Sequence, residues 1–174
     1  LYELDNEEIM DLLPVDESKI VRFTMVRDTL KRYKLSAYKQ LRDQDGYPGI
    51  KPPWGNLCAV DLNSGEIIWK VPLGEYEELT KKGVAPTGTQ LFGGAIVTAG
   101  GLIFIGASRD EKFRAIHKET GEVLWEFQLP AGAYATPSTY TIKGEQYVEI
   151  AAGGGGLQGT KSGDSYYAFK IPKK

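Results

Sequence analysis

Four consecutive glycines open the segment Gly153-Gly154-Gly155-Gly156-Leu157-Gln158-Gly159. Such a run is costly in backbone entropy and calls for a reason. Backbone N–H groups in a glycine-rich turn can close around an anion, but a phosphate cradle needs the spacing GxxxxGK[ST] opening a helix. That spacing is absent here and no helical pattern follows, so phosphate-loop chemistry is excluded and the plain reading is a flexible surface loop. His117 is the only histidine; general base catalysis would require a nucleophile or second base in a recognisable pattern with it, and none accompanies it. It reads as an exposed, inert residue beside a turn. Cys58 is the only cysteine, which rules out an internal disulfide, a cysteine-rich metal cluster and a CxxCH haem attachment within the chain. The sequence therefore offers no catalytic and no metal-ligating constellation of its own.

Charge and length limit the partners. With 21 Lys+Arg against 23 Asp+Glu and a net charge of -2, the chain lacks the basic surplus of a polyanion-binding protein, so nucleic acid is not an expected partner. The longest apolar runs, such as Leu102 to Gly106, fall far short of the roughly 20 residues that a membrane-spanning helix needs. The chain begins at Leu1 without a methionine and without a basic-then-apolar leader, so it reads as a trimmed piece of a longer protein.

The residues that could do chemistry must be positioned by elements of two kinds, and the change falls near Asp45-Gly46-Tyr47-Pro48-Gly49. In the segment 1–44, apolar Ile9, Leu12 and Leu13 with acids ahead of them predict a short helix ended by Pro14. Ile20 to Val26 reads as a strand, and Thr29 to Leu41 fits helix or strand. In 45–174, short β-rich runs bounded by glycine and proline predict nine strands: Leu57 to Leu62, Ile67 to Pro72, Ala95 to Ala99, Leu102 to Ala107, Phe113 to His117, Val123 to Leu129, Ser138 to Ile142, Gln146 to Ala151 and Tyr166 to Ile171.

A repeat decides how those strands are arranged. Ala59-Val-Asp61-Leu-Asn-Ser64-Gly65-Glu-Ile-Ile-Trp69 recurs 56 positions later as Ala115-Ile-His117-Lys-Glu-Thr120-Gly121-Glu-Val-Leu-Trp125. Each copy is a strand, a tight turn with Gly65 or Gly121 where φ must be positive, and a second strand carrying Trp69 or Trp125. A third, degenerate copy aligns Tyr147 to Gly153 with Leu102 to Ser108 and Tyr166 to Lys170 with Phe113 to His117, but stops before any glycine-tryptophan turn. Several strands per period of about fifty residues predict an all-β fold, about two to three blades of a β-propeller. Trp69 and Trp125 are expected to bury their rings between adjacent blades. Two or three blades cannot close a ring, so the remaining blades must be partners, and bare faces and unpaired edges favour self-association.

The pattern AxDxxTGxxxW, kept in both copies apart from Ser64 and His117, resembles the tryptophan-docking motif of pyrroloquinoline quinone (PQQ)-dependent dehydrogenases. Lys51-Pro-Pro-Trp54-Gly55, Gly93-Gly-Ala-Ile-Val-Thr98-Ala-Gly100-Gly-Leu-Ile-Phe104, Leu129-Pro-Ala-Gly132-Ala-Tyr-Ala-Thr136-Pro137 and Gly144 to Gly154 follow in family order, most similar to the membrane-associated quinoprotein glucose dehydrogenase branch. The resemblance covers about residues 45 to 172. It implies an eight-bladed propeller with PQQ on its axis above a bound Ca²⁺ or Mg²⁺. The last blade would be completed by a strand from the N-terminal end of the domain. It also implies oxidation of a sugar or alcohol in the periplasm, or at the periplasmic side of the membrane, with electrons passing to a quinone or cytochrome. One reading of 1–44 is the end of an inserted cytochrome c domain plus a connecting strand.

The resemblance places the family's aspartate base and metal ligands in earlier blades, so this piece alone is expected to be inactive and to hold neither PQQ nor metal. What it would contribute is cofactor wall: Phe92, Gly93, Gly155, Gly156 and Leu157. Phe92 aligns with a tryptophan beside the quinone in methanol-oxidising relatives, a glycine next to it lets backbone approach a planar ligand, and the glycine run aligns with the loop closing over that cavity. Ordinary core packing is the competing account of Phe92 and Leu157. Trp54 either lies near the cavity mouth or anchors the strand entry. Gly155 stands where the glucose dehydrogenase branch has histidine, which weighs against glucose as substrate. A second reading of the whole is a non-catalytic propeller scaffold of the outer-membrane assembly lipoprotein type.

Overall fold

Tight glycine turns between β-branched runs leave the chain little choice but to zigzag, and the computed structural model shows that zigzag over residues 40–170, the residues it describes. The expected helix at 4–13, the strand at 20–26 and nearly all of the ambiguous 29–41 stretch lie outside the described residues. From Leu41 onward these residues form one unit, with β1 (Asn56–Val60), β2 (Ile67–Pro72), a one-turn helix α1 (Glu77–Thr80), β3 (Ala95–Val97), β4 (Leu102–Ile105), β5 (Lys112–His117), β6 (Val123–Gln128), β7 (Ser138–Ile142), β8 (Glu145–Gly154), a 3-10 turn (Gly156–Gln158) and β9 (Ser162–Lys170). All nine expected strands are present. The largest difference is at β8 and β9, which pair as far as Gly154 and Ser162 and so run right up to the glycine loop. The backbone ladder carries on through residues too small and polar to read as strand.

Three antiparallel sheets result: β1-β2, β3-β4-β5-β6 and β7-β8-β9. The middle sheet is a complete four-stranded blade. β1 and β2 match its outer pair by the sequence repeat, and β7 to β9 match its first three strands. The repeat extends to an irregularity: both hairpins shift register at the same place, between Ala59 and Val60 and between Ala115 and Ile116. A bulge there bends the strand into the glycine turn.

The two inner strands of the middle sheet, β4 and β5, are largely buried on both faces, so β4 reads as an unbroken apolar run while β5 holds the buried Arg114 among its apolar residues. One face brings Ile103, Ile105, Ala107 and Ile116 against Leu73, with Leu57, Trp69 and Leu91 around them. The other brings Phe113 and Phe104 against Val148, Ile150, Ala152 and Phe169 of the third sheet. A meander of this kind puts its connections alternately at two ends. The tryptophan turns lie at one end; the crossovers 73–94 and 129–137 and the loops 106–111 and 153–161 lie at the other.

Trp69 shows how adjacent sheets are joined. Its Nε1 donates to the Lys118 carbonyl at 3.0 Å, and a methyl group on Gly121 would sit 2.7 Å from its ring. The indole of the first sheet thus lies flat on the glycine of the next sheet's turn. Trp125 departs from the expectation of burial: it is 38% exposed. It packs edge-on against Phe169 at 5.1 Å and Phe113 at 6.2 Å, but the third sheet offers no matching turn among the described residues, so the indole has no seat of the kind Trp69 has.

Candidate functional site

The crossover from β2 to β3 ends in Phe92-Gly93-Gly94. The Phe92 N–H donates to Ala107 O at 2.9 Å, fixing the backbone to the 106–111 loop, while the ring is 37% exposed and so does not belong to the core. Gly93 has φ +112°, and a Cβ there would lie 2.5 Å from the Tyr134 carbonyl oxygen. A Cβ on Gly94 would lie 2.7 Å from Thr136 Oγ1. The close approach that glycine permits at position 93 is therefore to the chain's own backbone at Tyr134.

The glycine loop takes its shape from backbone that only glycine adopts readily. Gly154, Gly156 and Gly159 have φ near +60°, and Gly155 has φ 67° with ψ −144°, a region closed to side chains with a Cβ. Gly153 and Gly156 face open space, with nothing within 4 Å of an added Cβ. Leu157 lies inside the 3-10 turn. The turn leads into β9.

Far from hanging free, the loop is tied down by polar side chains that sequence reading overlooked. Gln158 is 3% exposed; its Nε2 donates to Gln90 O at 3.3 Å, and its main-chain carbonyl accepts from Arg109 Nη1. The Arg109 N–H in turn donates to Thr89 Oγ1 at 3.0 Å. At the other end of the loop, the Gly155 N–H donates to Thr160 Oγ1 at 3.2 Å, which is 2.8 Å from the Tyr134 hydroxyl. Burial raises the Tyr134 phenol above its ordinary pKa, so it remains a neutral hydrogen-bonding group. Gln158 Oε1 is buried with no hydrogen-bond partner. Rotating the amide would set two acceptors face to face at Gln90, so an unpaired acceptor remains in the loop. The structure thus joins the Phe92 segment and the glycine loop through Gln158 and Gln90, 68 positions apart in sequence. The one signal for this in sequence was a lone amide side chain interrupting the glycines.

Arg109 also lines a cavity of about 450 Å³, together with Glu75, Tyr76, Asp110, Glu111 and Lys112 among others. Its charges are largely spent on one another. Lys112 Nζ is 2.7 Å from Glu75 and 2.9 Å from Glu126, and the hydrogen bond from Lys112, then that from Thr80, holds the Glu75 carboxyl below its ordinary pKa. Arg114, 5% exposed, is gripped by Asp110 and by Ser108 Oγ at 3.0 Å. These pairs stiffen the 106–111 loop that carries Arg109.

The other candidates resolve into structural roles. His117 is half-buried, and its Nδ1 accepts the Glu119 N–H at 3.3 Å. Asp61 Oδ1 does the same work in the first copy, accepting the N–H groups of Asn63 and Ser64 at 2.7 and 3.2 Å. Trp54 anchors the strand entry: its Nε1 donates to Ile50 O at 2.7 Å, and its ring stacks on Tyr47 and meets Tyr76 edge-on. Cys58 is exposed on β1. Among the described residues no group of three or more His, Cys, Asp or Glu could hold a metal ion. The Phe92 segment and the glycine loop thus carry an exposed ring at Phe92, open space beside Gly156 and an unpaired buried acceptor at Gln158 Oε1. They supply no general base.

Against known proteins, residues 9–148 match the family profile described as PQQ: glucose/ethanol/alcohol dehydrogenase, β-propeller domain. Quinoprotein glucose dehydrogenase A of Acinetobacter calcoaceticus is 43% identical over 131 residues, 73% of this chain and 16% of that protein. The glycerol dehydrogenase large subunit of Gluconobacter thailandicus is 41% identical over 138 residues, 74% of this chain and 18% of that protein. The quinate/shikimate dehydrogenase (quinone) of Acinetobacter baylyi is 36% identical over 135 residues, 74% and 17% respectively. Among solved structures, quinohemoprotein alcohol dehydrogenase from Comamonas testosteroni superposes with a TM-score of 0.55 at 27% identity, over 83% of this chain and 23% of that one. The chain spans about one sixth of the length of the curated relatives it matches.

Proposed function

The chain belongs to the PQQ-dependent dehydrogenase β-propeller family, and from that premise we propose that it supplies the C-terminal blades of a dehydrogenase whose complete ring oxidises an alcohol or sugar. The observation that carries the reading is the convergence of Phe92 and the glycine loop at one end of the sheets, tied by the Gln158 hydrogen bond to Gln90. Scaffolding alone would not require an exposed phenyl ring beside a pinned glycine loop.

PQQ, when bound with Ca²⁺ or Mg²⁺, accepts two electrons from a C–H–OH unit. Phe92, Gly155, Gly156 and Leu157 would form part of the wall that holds it, with Gly93 seating Phe92 by its close packing on the Tyr134 backbone. Phe92 presents a ring for stacking, and Gly156 leaves open space where a side chain would intrude. Gln158, itself buried, keeps the loop pinned to the segment that carries Phe92 through its hydrogen bond to Gln90. Neither the base nor the metal ligands are assigned to this chain, so the isolated piece is inactive in this reading. Known relatives act on glucose, glycerol and quinate. Gly155 stands where the glucose branch has histidine, and with its backbone in glycine-only territory a histidine would not fit without a shift; this favours a polyol or alcohol over glucose. Electrons would leave to a quinone or cytochrome on the periplasmic side of the membrane.

The test is reconstitution. The complete propeller containing this chain, loaded with PQQ and Ca²⁺ or Mg²⁺, is expected to show dye-linked turnover with glycerol or a primary alcohol and less with glucose. The 174 residues alone are expected to show none. Failure of the complete propeller to retain PQQ would overturn the assignment; turnover by the isolated chain would overturn its stated inactivity.

A further inference from the structure

Tyr134 touches both ligand-facing segments. Its backbone carbonyl lies where a Cβ on Gly93 would come within 2.5 Å, so main chain meets main chain beside Phe92. Its ring folds back over Gly132, where an added Cβ would lie 2.5 Å from the phenol carbon and oxygen, and this fixes the direction of the side chain. The hydroxyl then reaches Thr160 Oγ1 at 2.8 Å, and the same oxygen accepts the Gly155 N–H at 3.2 Å. The Gly132 carbonyl accepts the Gly154 N–H at 2.7 Å, so Gly132 and, through Thr160, the Tyr134 hydroxyl hold the adjacent residues Gly154 and Gly155 at the start of the loop. Gly154, Gly155, Gly156 and Gly159, all at positive φ, have no conformational preference strong enough to hold that turn by themselves.

We propose that Tyr134 is a positioning residue that fixes the separation between the Phe92–Gly93 segment and the glycine loop. It acts through Thr160 and touches no reacting atom. On the cofactor-wall reading above, that separation is what admits a flat ring between the two segments. Gln158 and Arg109 secure the far end of the loop, so loss of the tyrosine hydroxyl frees the Gly155 end without releasing the whole.

The experiment is amide hydrogen exchange on the full chain. Tyr134→Phe keeps the ring and removes only the hydroxyl, and Thr160→Val removes its partner. Tyr134→Phe is expected to speed exchange at Gly155 to Thr160 about fivefold, the size of one lost hydrogen bond, and Thr160→Val, which also loses the acceptor of the Gly155 N–H, about 25-fold, with β4 and β5 unchanged in both. Thr160→Ser, which keeps the oxygen, is expected to exchange like the parent, and the double variant Tyr134→Phe/Thr160→Val no faster than Thr160→Val alone. Parental exchange in Tyr134→Phe, or acceleration spread evenly through β4 and β5, would overturn the proposal. A second arm uses the complete propeller. There Tyr134→Phe is expected to weaken PQQ binding about fivefold at an unchanged melting temperature. If the parental propeller binds no PQQ, the dehydrogenase reading falls, and the exchange data still decide the role of Tyr134.

Discussion

Gly65 and Gly121 occupy the same place in the two tryptophan turns, with φ 75° and 74°, yet their surroundings differ. Nothing lies within 4 Å of a Cβ built on Gly65, whereas one on Gly121 would enter the Trp69 ring. Gly65→Ala should therefore cost only the left-handed backbone, about 1 kcal/mol. Gly121→Ala adds the displaced indole and its hydrogen bond to Lys118, for a total of about 3 kcal/mol. Urea denaturation of the two variants side by side reads the difference; equal losses would mean that Trp69 docking contributes nothing. The repeated glycines and tryptophans were plain in the sequence. Which tryptophan has a seat was not, because the seat is built by a different repeat.

At the scale of elements, α1 follows β2 in the chain but is fastened to β5 and β6. Glu75, just before the helix, accepts from Lys112 and from Thr80 at 2.7 Å each, and Lys112 also reaches Glu126. The Glu75 carboxyl is held below its ordinary value, chiefly by Lys112. For Lys112, burial alone would lower the pKa, but the two carboxylates outweigh it and the shift is upward. A depressed carboxylate stabilises the fold above its unfolded pKa, about 4.3, and that contribution is lost as pH falls through the folded value. Glu75→Gln should thus be less stable than the parent by about 1–2 kcal/mol at pH 7, with the gap closing toward pH 3. Denaturation curves at both pH values measure it, and a gap independent of pH would show that the charge is immaterial. The strands were legible because turn residues and β-branched runs mark them locally. The network was not, since charged residues 37 positions apart give no local signal of their pairing.

For the molecule as a whole, the described sheets are two strands, four and three, so only the middle one is complete. Ile67 and Ile68 on β2, Trp125 and Phe127 on β6 and Tyr166 on β9 are all exposed. Apolar faces and strand edges of this kind drive association. Sedimentation velocity on the chain should show larger species growing with concentration, and Ile68→Lys with Tyr166→Lys should shift the distribution toward monomer. A strictly monomeric parent at all concentrations would mean that other residues of the chain cover these faces.

The sequence by itself determined the repeat, the nine strands, the family and the glycine loop as the place to look, because each is written in contiguous residues whose conformational preferences act locally. Tertiary structure alone decided that Gln158, Arg109, Tyr134 and Thr160 hold that loop, that Gly93 is filled by the chain's own backbone, and that Trp69 has a seat while Trp125 has none among the described residues. Those facts depend on which segments of different sheets arrive at the same end, and a residue's type and spacing carry no record of a neighbour brought to it across the gap between blades.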